Sequence, residues 1–311
     1  SGGTSHAVTL TGGVTYYLIA DLFSSSASTT VTVSVDCPPP PPTVSSNSPV
    51  CENSTLNLST TMSGATSCNW SGPNGFTSTS SSPSISNVSL AAAGTYYVTV
   101  TASNGLTAGG STTVTVHPTF TAGAIASTGE TICYGTVPTT TIGSNSNASG
   151  GDGNITYRWQ YSTVSNFSSG VNTISSSNTA TYKPTQTLTQ TTYYRRQAKD
   201  GTCADWTTSS NVWAVTVNVA SVGGTAISVS PQTICTGSSP ANITLTGGFT
   251  GTIQWQYSNN GSTGWTNISG ATSTPLTSAQ MGTLTANRWY RAVVTNSPCA
   301  SANSNSVKIT V

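Results

Sequence analysis

A chain of 311 residues with seven cysteines, seven carboxylates and two histidines has little from which to build a reactive centre. General acid–base work needs titratable groups within hydrogen-bond reach of each other. Here Asp152, Asp200 and Asp205 stand beside Gly or Trp in turn-forming stretches, where an aspartate usually serves its own backbone. Asp200 and Asp205 could in principle supply the carboxylate pair of a glycoside hydrolase, but no surrounding motif supports that chemistry. No Cys-x-x-Cys pair occurs, and His6 and His117 are distant from every cysteine in sequence. With no Asp-rich loop of calcium-site spacing either, neither zinc nor calcium ligation is expected. The expectation is a chain without catalytic, cofactor-binding or metal-ligating residues.

The cysteines matter for another reason: they recur in register. Cys133…Trp159-Gln160-Tyr161-Ser162…Tyr194-Arg195…Cys203 returns as Cys235…Trp255-Gln256-Tyr257-Ser258…Tyr290-Arg291…Cys299. The Trp, the Tyr-Arg pair and the second Cys are each displaced by 96 positions (159 to 255, 194 to 290, 203 to 299). Such a period marks a tandem array of domains. Regular cysteines without metal spacing point to disulfides and an oxidising compartment. The frame suggests one bridge inside each repeat, Cys133 with Cys203 and Cys235 with Cys299, and a third within the preceding unit, Cys51 with Cys68. Cys37 is left over, either as the partner of a cysteine absent from the first domain or as a cross-link between chains.

The elements that must position this frame are strands. Alternating Val, Thr and Tyr runs are separated by turn signals about every 8 to 12 residues, and no long window carries a helical period. This predicts an all-β protein, a semi-rigid string of tandem Ig-like antiparallel β-sandwiches. In such a sandwich one strand buries a Trp and a later one starts with a corner Tyr, so Trp70, Trp159, Trp255, Tyr194 and Tyr290 are assigned to core and corner. Trp265 aligns with Phe167 and is assigned to the core, whereas Trp206 has no aromatic counterpart and is the candidate exposed contact. The expected units are residues 1–37, the last strands of an incomplete Ig-like domain; 38–42, a polyproline spacer; 43–117, a PKD-like Ig domain; and two further Ig-like domains at 118–219 and 220–311.

Composition narrows the partners. Only 5% of residues are charged and the net charge is +1, so neither nucleic acid nor an anionic membrane surface is expected to bind. No stretch approaches the apolar length of a membrane span. Seven Trp and twelve Tyr supply apolar surface that a disordered chain lacks. About ten Asn-x-Ser/Thr sequons occur, among them Asn53, Asn87, Asn154 and Asn242, and chance alone predicts nearly as many when about a third of the chain is Ser or Thr, so they are no evidence of glycosylation. Ser1 opens no signal peptide, which suits a processed or excised piece of something longer.

One stretch carries a resemblance. Val50-Cys51-Glu52, Trp70-Ser71-Gly72-Pro73-Asn74-Gly75-Phe76, Ile85-Ser86-Asn87-Val88 and Gly94-Thr95-Tyr96-Tyr97-Val98-Thr99-Val100 closely resemble the Ig-like or PKD-like repeats of giant Bacteroidota surface adhesins, including gliding-motility proteins exported by type IX secretion. The Trp-Gln-Tyr-Ser modules resemble companion repeats of the same proteins. That family usually places its second Cys in an Asn-Gly-Cys turn, where this chain has Asn104-Gly105-Leu106, which leaves Cys68 to take over the pairing. The resemblance implies a non-enzymatic stalk or filament shaft of a secreted, extracellular cell-surface protein that contacts polysaccharide, other cells or substrata. Two further readings are a carbohydrate-binding module array attached to an extracellular enzyme, and a self-assembling fibre subunit in which residues 1–37 donate strands to a neighbouring copy.

Overall fold

The structure is a computed structural model that describes residues 37–229 and 232–311. The expected half-domain at 1–37 lies outside the described residues apart from Cys37.

The protein is all-β, and three buried clusters form the cores of three successive sandwiches. Each core is organised by four strands. An opening strand (Val50–Cys51, Glu130–Cys133, Gln232–Thr233) lies parallel to the closing strand of the same sandwich (Val116–His117, Trp213–Asn218, Val307–Thr310). A Trp strand (Ser67–Ser71, Thr156–Ser162, Thr252–Ser258) pairs antiparallel with a Tyr strand (Gly94–Thr101, Thr192–Lys199, Arg288–Thr295). In the second and third sandwiches the order runs opening, closing, Tyr, Trp across one sheet. Smaller sheets face it, Ala124–Ile125 with Ser144–Ser146 and Thr225–Ser228 with Ile243–Thr246. In the first sandwich the opening and closing strands form their own pair beside a four-stranded sheet.

Strand alternation builds the cores. Tyr96, Val98 and Val100 turn inward from one Tyr strand, and Tyr290, Ala292 and Val294 from another, while the residues between them face outward. Trp70, Trp159 and Trp255 are fully buried. Each indole N–H donates to a carbonyl across the sandwich, those of Ser80 (3.0 Å), Thr179 (2.9 Å) and Ser273 (2.9 Å). Burial of so large a ring therefore leaves no orphaned donor. The repeated Ser-Asn segment ties the two sheets together: Asn211 and Asn305 donate to the carbonyls of Ile125 and Ala226, both at 2.9 Å.

The tyrosines divide. Tyr96 donates to the Ala92 carbonyl at 2.9 Å, the corner arrangement of Ig-like sandwiches. Gly72 packs against its ring so closely that any Cβ there would overlap it. Tyr194 and Tyr290 are buried but make no such bond, so the corner role expected for them is corrected. Tyr194 packs instead among Tyr161 and Tyr182, with ring centroids about 6 Å apart.

Two local features differ from the sequence reading. Residues 38–42 do not stand free as a spacer. Pro39 is buried, and Pro42 lies against Gly110, where a Cβ would come within 3.1 Å of it. A short helix at Ser278–Met281 is closed by a capping box between Thr277 and Gln280. Thr-x-x-Gln is a readable helix start, too short here to produce any period.

Candidate functional site: the stapled junctions

The described residues contain no group of three or more His, Cys, Asp or Glu able to hold a metal. Their carboxylates serve loops. Asp200 accepts from the backbone N–H groups of Asp152, Cys203 and Ala204, and Asp152 accepts from Asn154 and Gly201 N–H and from the Thr202 hydroxyl. Asp200 thus partners Asp152 instead of Asp205, which caps the N–H of Trp206 next to it. The Asn154 N–H above all, helped by Thr202 and Gly201, holds the Asp152 carboxyl down to about 2 against the upward push of desolvation. Burial pushes the Asp200 carboxyl up, but its N–H donors outweigh this and leave it below the usual range. The product of this knot is a rigid loop that presents Cys203.

The disulfides are not the expected ones. Cys51 bonds Cys203, with Cα atoms 5.6 Å apart, and Cys133 bonds Cys299, at 4.9 Å. Neither the Cys133–Cys203 nor the Cys235–Cys299 nor the Cys51–Cys68 bridge exists; Cys37, Cys68 and Cys235 are free thiols. Strand direction explains the correction. The opening strand runs parallel to the closing strand, so its cysteine sits where the chain leaves the sandwich: Cys51 is opposite His117 and Cys133 opposite Asn218. The Tyr strand runs antiparallel to the closing strand, so the loop after it, which carries Cys203 or Cys299, lies at the other end. A strand of seven or eight residues separates these ends by about 24 Å, against the roughly 7 Å limit between disulfide-linked Cα atoms. The first cysteine of one sandwich can reach only the second cysteine of the next. Cys68 lies inside the first core, where its thiol faces the Thr79 carbonyl at 3.3 Å and burial pushes it up.

Polar contacts surround each staple. At the first junction the Glu52 carboxylate accepts from the Thr119 N–H (3.2 Å) and hydroxyl (3.1 Å). At the second, Asn218 donates to the Ser297 carbonyl (2.6 Å), while Asn296 donates through its side chain to the Val219 carbonyl (2.8 Å) and through its backbone N–H to the Ser221 hydroxyl (2.9 Å).

The remaining candidate contacts are aromatic. Trp206 is half-buried, with the Arg158 guanidinium 4.1 Å and the Lys199 ammonium 5.0 Å from its ring centre, which corrects the expectation of an exposed ring. Trp265 and Phe167 occupy equivalent places under Arg291 (4.2 Å) and Arg195 (4.4 Å). Those two arginines also donate to Gln256 and Gln160, so Trp265 is half-buried beneath a cation instead of lying in the core. Seven of the eight cations lie over aromatic rings.

No described helix is long and apolar enough to cross a membrane. The chain is similar to an I-band fragment of titin, at 12% identity and TM-score 0.46 over 87% of this chain and 98% of that one. It is likewise similar to part of a 1.5-MDa bacterial ice-binding adhesin, at 14% identity and TM-score 0.36 over 87% and 97%. No curated protein matches it. Residues 121–219 and 222–311, more than half of the chain, each match one family, and the protein belongs to it: "Domain of unknown function (DUF8696)".

Proposed function

We propose that the protein is a non-enzymatic structural and adhesive segment, a stalk or filament shaft of a large secreted bacterial cell-surface protein. Its working units are the Ig-like domains at 43–117, 118–219 and 220–311. One observation carries this reading: both disulfides join consecutive sandwiches. A bridge inside a domain protects that domain, whereas bridges between domains govern how an array carries load. Disulfides also suit an oxidising, extracellular setting. Gliding motility and export by type IX secretion follow from the sequence resemblance described above and belong to the same proposal, as does contact with polysaccharide, cells or substrata. The carbohydrate-binding alternative is disfavoured because Trp206 and Trp265 each have a face covered by a cation.

The test is single-molecule stretching. When the sandwiches between Cys51 and Cys299 unfold in the reduced protein, roughly 250 residues extend to about 870 Å at ~3.5 Å each. With both bonds closed, the shortest covalent route crosses from Cys51 to Cys203, returns to Cys133 and crosses to Cys299. That route frees only roughly 70 residues, or about 250 Å. An oxidised protein that extends as far as the reduced one would defeat the proposal.

A further inference from the structure

The two junctions obey one rule, and two free, exposed thiols, Cys235 and Cys37, stand where that rule would place a further junction. In each junction the bonded cysteines are an opening-strand cysteine, Cys51 or Cys133, and a cysteine on the loop after the Tyr strand of the next sandwich, Cys203 or Cys299. Cys235 occupies the opening-strand position of the third sandwich. Gln232 and Thr233 pair in parallel with Ile309 and Thr310, just as Glu130 and Thr131 pair with Val215 and Thr216. The thiol of Cys235 is therefore at the outgoing end, and it is free and exposed.

At the incoming end the matching loop is Ala102–Leu106 of the first sandwich, between the Tyr strand and the strand Thr107–Val114. It contains no cysteine. Asn104 from this loop instead donates to the Cys37 carbonyl at 3.3 Å, and the proline run that follows Cys37 is packed on the same sandwich. A second free, exposed thiol is thus fixed beside the position that Cys203 and Cys299 hold in their own sandwiches.

We propose that copies of this chain join head to tail through a disulfide between Cys235 of one copy and Cys37 of the next, continuing the rule of the internal junctions. The two ends differ, so the contact is heterologous and does not close on itself as a symmetric dimer would; repeated, it yields a fibre. The chemistry is thiol–disulfide exchange with a low-molecular-weight disulfide as oxidant. The Cys235 thiolate attacks one sulfur of that disulfide and expels one small thiolate. The Cys37 thiolate of the neighbouring copy then attacks the Cys235 sulfur of the mixed disulfide and expels the second. Two protein thiols and one small disulfide become one protein disulfide and two small thiols.

The inference builds on the stalk reading, but its test does not depend on the stretching experiment. The 311-residue chain is concentrated in a glutathione redox buffer and run on a non-reducing gel. A ladder in steps of one chain is expected, with a peptide linking Cys37 to Cys235 by mass spectrometry. Cys37→Ser and Cys235→Ser should each abolish the ladder, whereas their mixture should give dimer and nothing larger. Cys68→Ser should leave the ladder intact. The proposal is overturned if the wild type stays monomeric, or if the links formed are Cys37–Cys37 or Cys235–Cys235.

Discussion

At the scale of single residues, the side chain that most rewards attention is one the repeat frame does not share. Arg196 faces the interior of the second sandwich, where the third has Ala292, and both are fully buried. All five of its N–H donors are used: Nε on the Ser209 hydroxyl, Nη1 on the Ser144 hydroxyl and Ala180 carbonyl, and Nη2 on the carbonyls of Ala122 and Ser146, between 2.8 and 3.0 Å. No carboxylate is among these partners, so the charge is solvated by dipoles and by the face of the Tyr157 ring, 5.0 Å from the guanidinium. Arg196→Ala would strip five hydrogen bonds from these partners, of which the Ala122 carbonyl would keep the Ser209 hydroxyl, and would leave a cavity. It is expected to lower the stability of the second sandwich by about 3 to 5 kcal/mol in urea unfolding. Arg195→Ala, on the outer face, should cost less than about 1 kcal/mol, and equal losses would refute the assigned role. The carboxylates make a second residue-scale prediction. Asp152 is held down to about 2 from an ordinary 3.8, and Asp200 and Glu130 are also lowered, Glu130 by Thr139 and Thr140 against the push of burial. A carboxyl lowered on folding adds stability that is complete above its unfolded value and disappears as pH falls through the folded one. The melting temperature of the second sandwich should therefore level off above about pH 4 and drop between about pH 4 and 2. Asp152→Asn should flatten that drop, and an unchanged acid profile would count against the loop knot.

Elements decide the pairing of the cysteines, and this is where the sequence was legible only in part. The fold class could be read, because alternation of Val, Thr and Tyr is a direct imprint of a strand with one buried face. Burial of Trp159 and Trp255 is likewise consistent with their repeated context. The partner of Cys133 was not readable, because the spacing of two cysteines says nothing about whether the strands carrying them point the same way. One parallel pairing, Glu130–Cys133 beside Trp213–Asn218, moves Cys133 to the far end of its domain and converts an internal staple into an external one. The guanidinium groups over Trp206 and Trp265 were equally hidden, since Arg158 and Arg291 come from strands distant from those rings in sequence. A consequence can be measured. Cys299→Ser should reduce hydrogen-exchange protection in two sandwiches: around residues 296–301 of the third, and along Glu130–Cys133 and Trp213–Asn218 of the second. The chain-entropy model places the loss at about 5 kcal/mol for a loop of this size. A bridge internal to the third sandwich would spare the second, so an effect confined to the third would refute the junction.

For the whole molecule, what matters is that the two disulfide loops overlap. They span sequence separations of 152 and 166, and each encloses one end of the other: Cys133 lies between Cys51 and Cys203, and Cys203 lies between Cys133 and Cys299. Every peptide bond between Cys51 and Cys299 is therefore bridged by at least one disulfide. Loops are where proteases cut folded domains, and the surface stalk proposed above would be exposed to them. A single cut in an ordinary string of domains releases everything beyond it, whereas a single cut here should release nothing. A site-specific protease sequence inserted in the loop at residues 166–171 provides the test, because a cut there lies inside both disulfide loops. After complete cleavage the oxidised protein should still migrate as one chain, and two fragments should separate only when a thiol reductant is added. Cys203→Ser alone should still hold, through Cys133–Cys299, but Cys203→Ser combined with Cys299→Ser should let the halves part without reductant. Release of fragments from the oxidised, unsubstituted chain would mean that the staples do not link the sandwiches, and the load-bearing role argued for them would fall with that result.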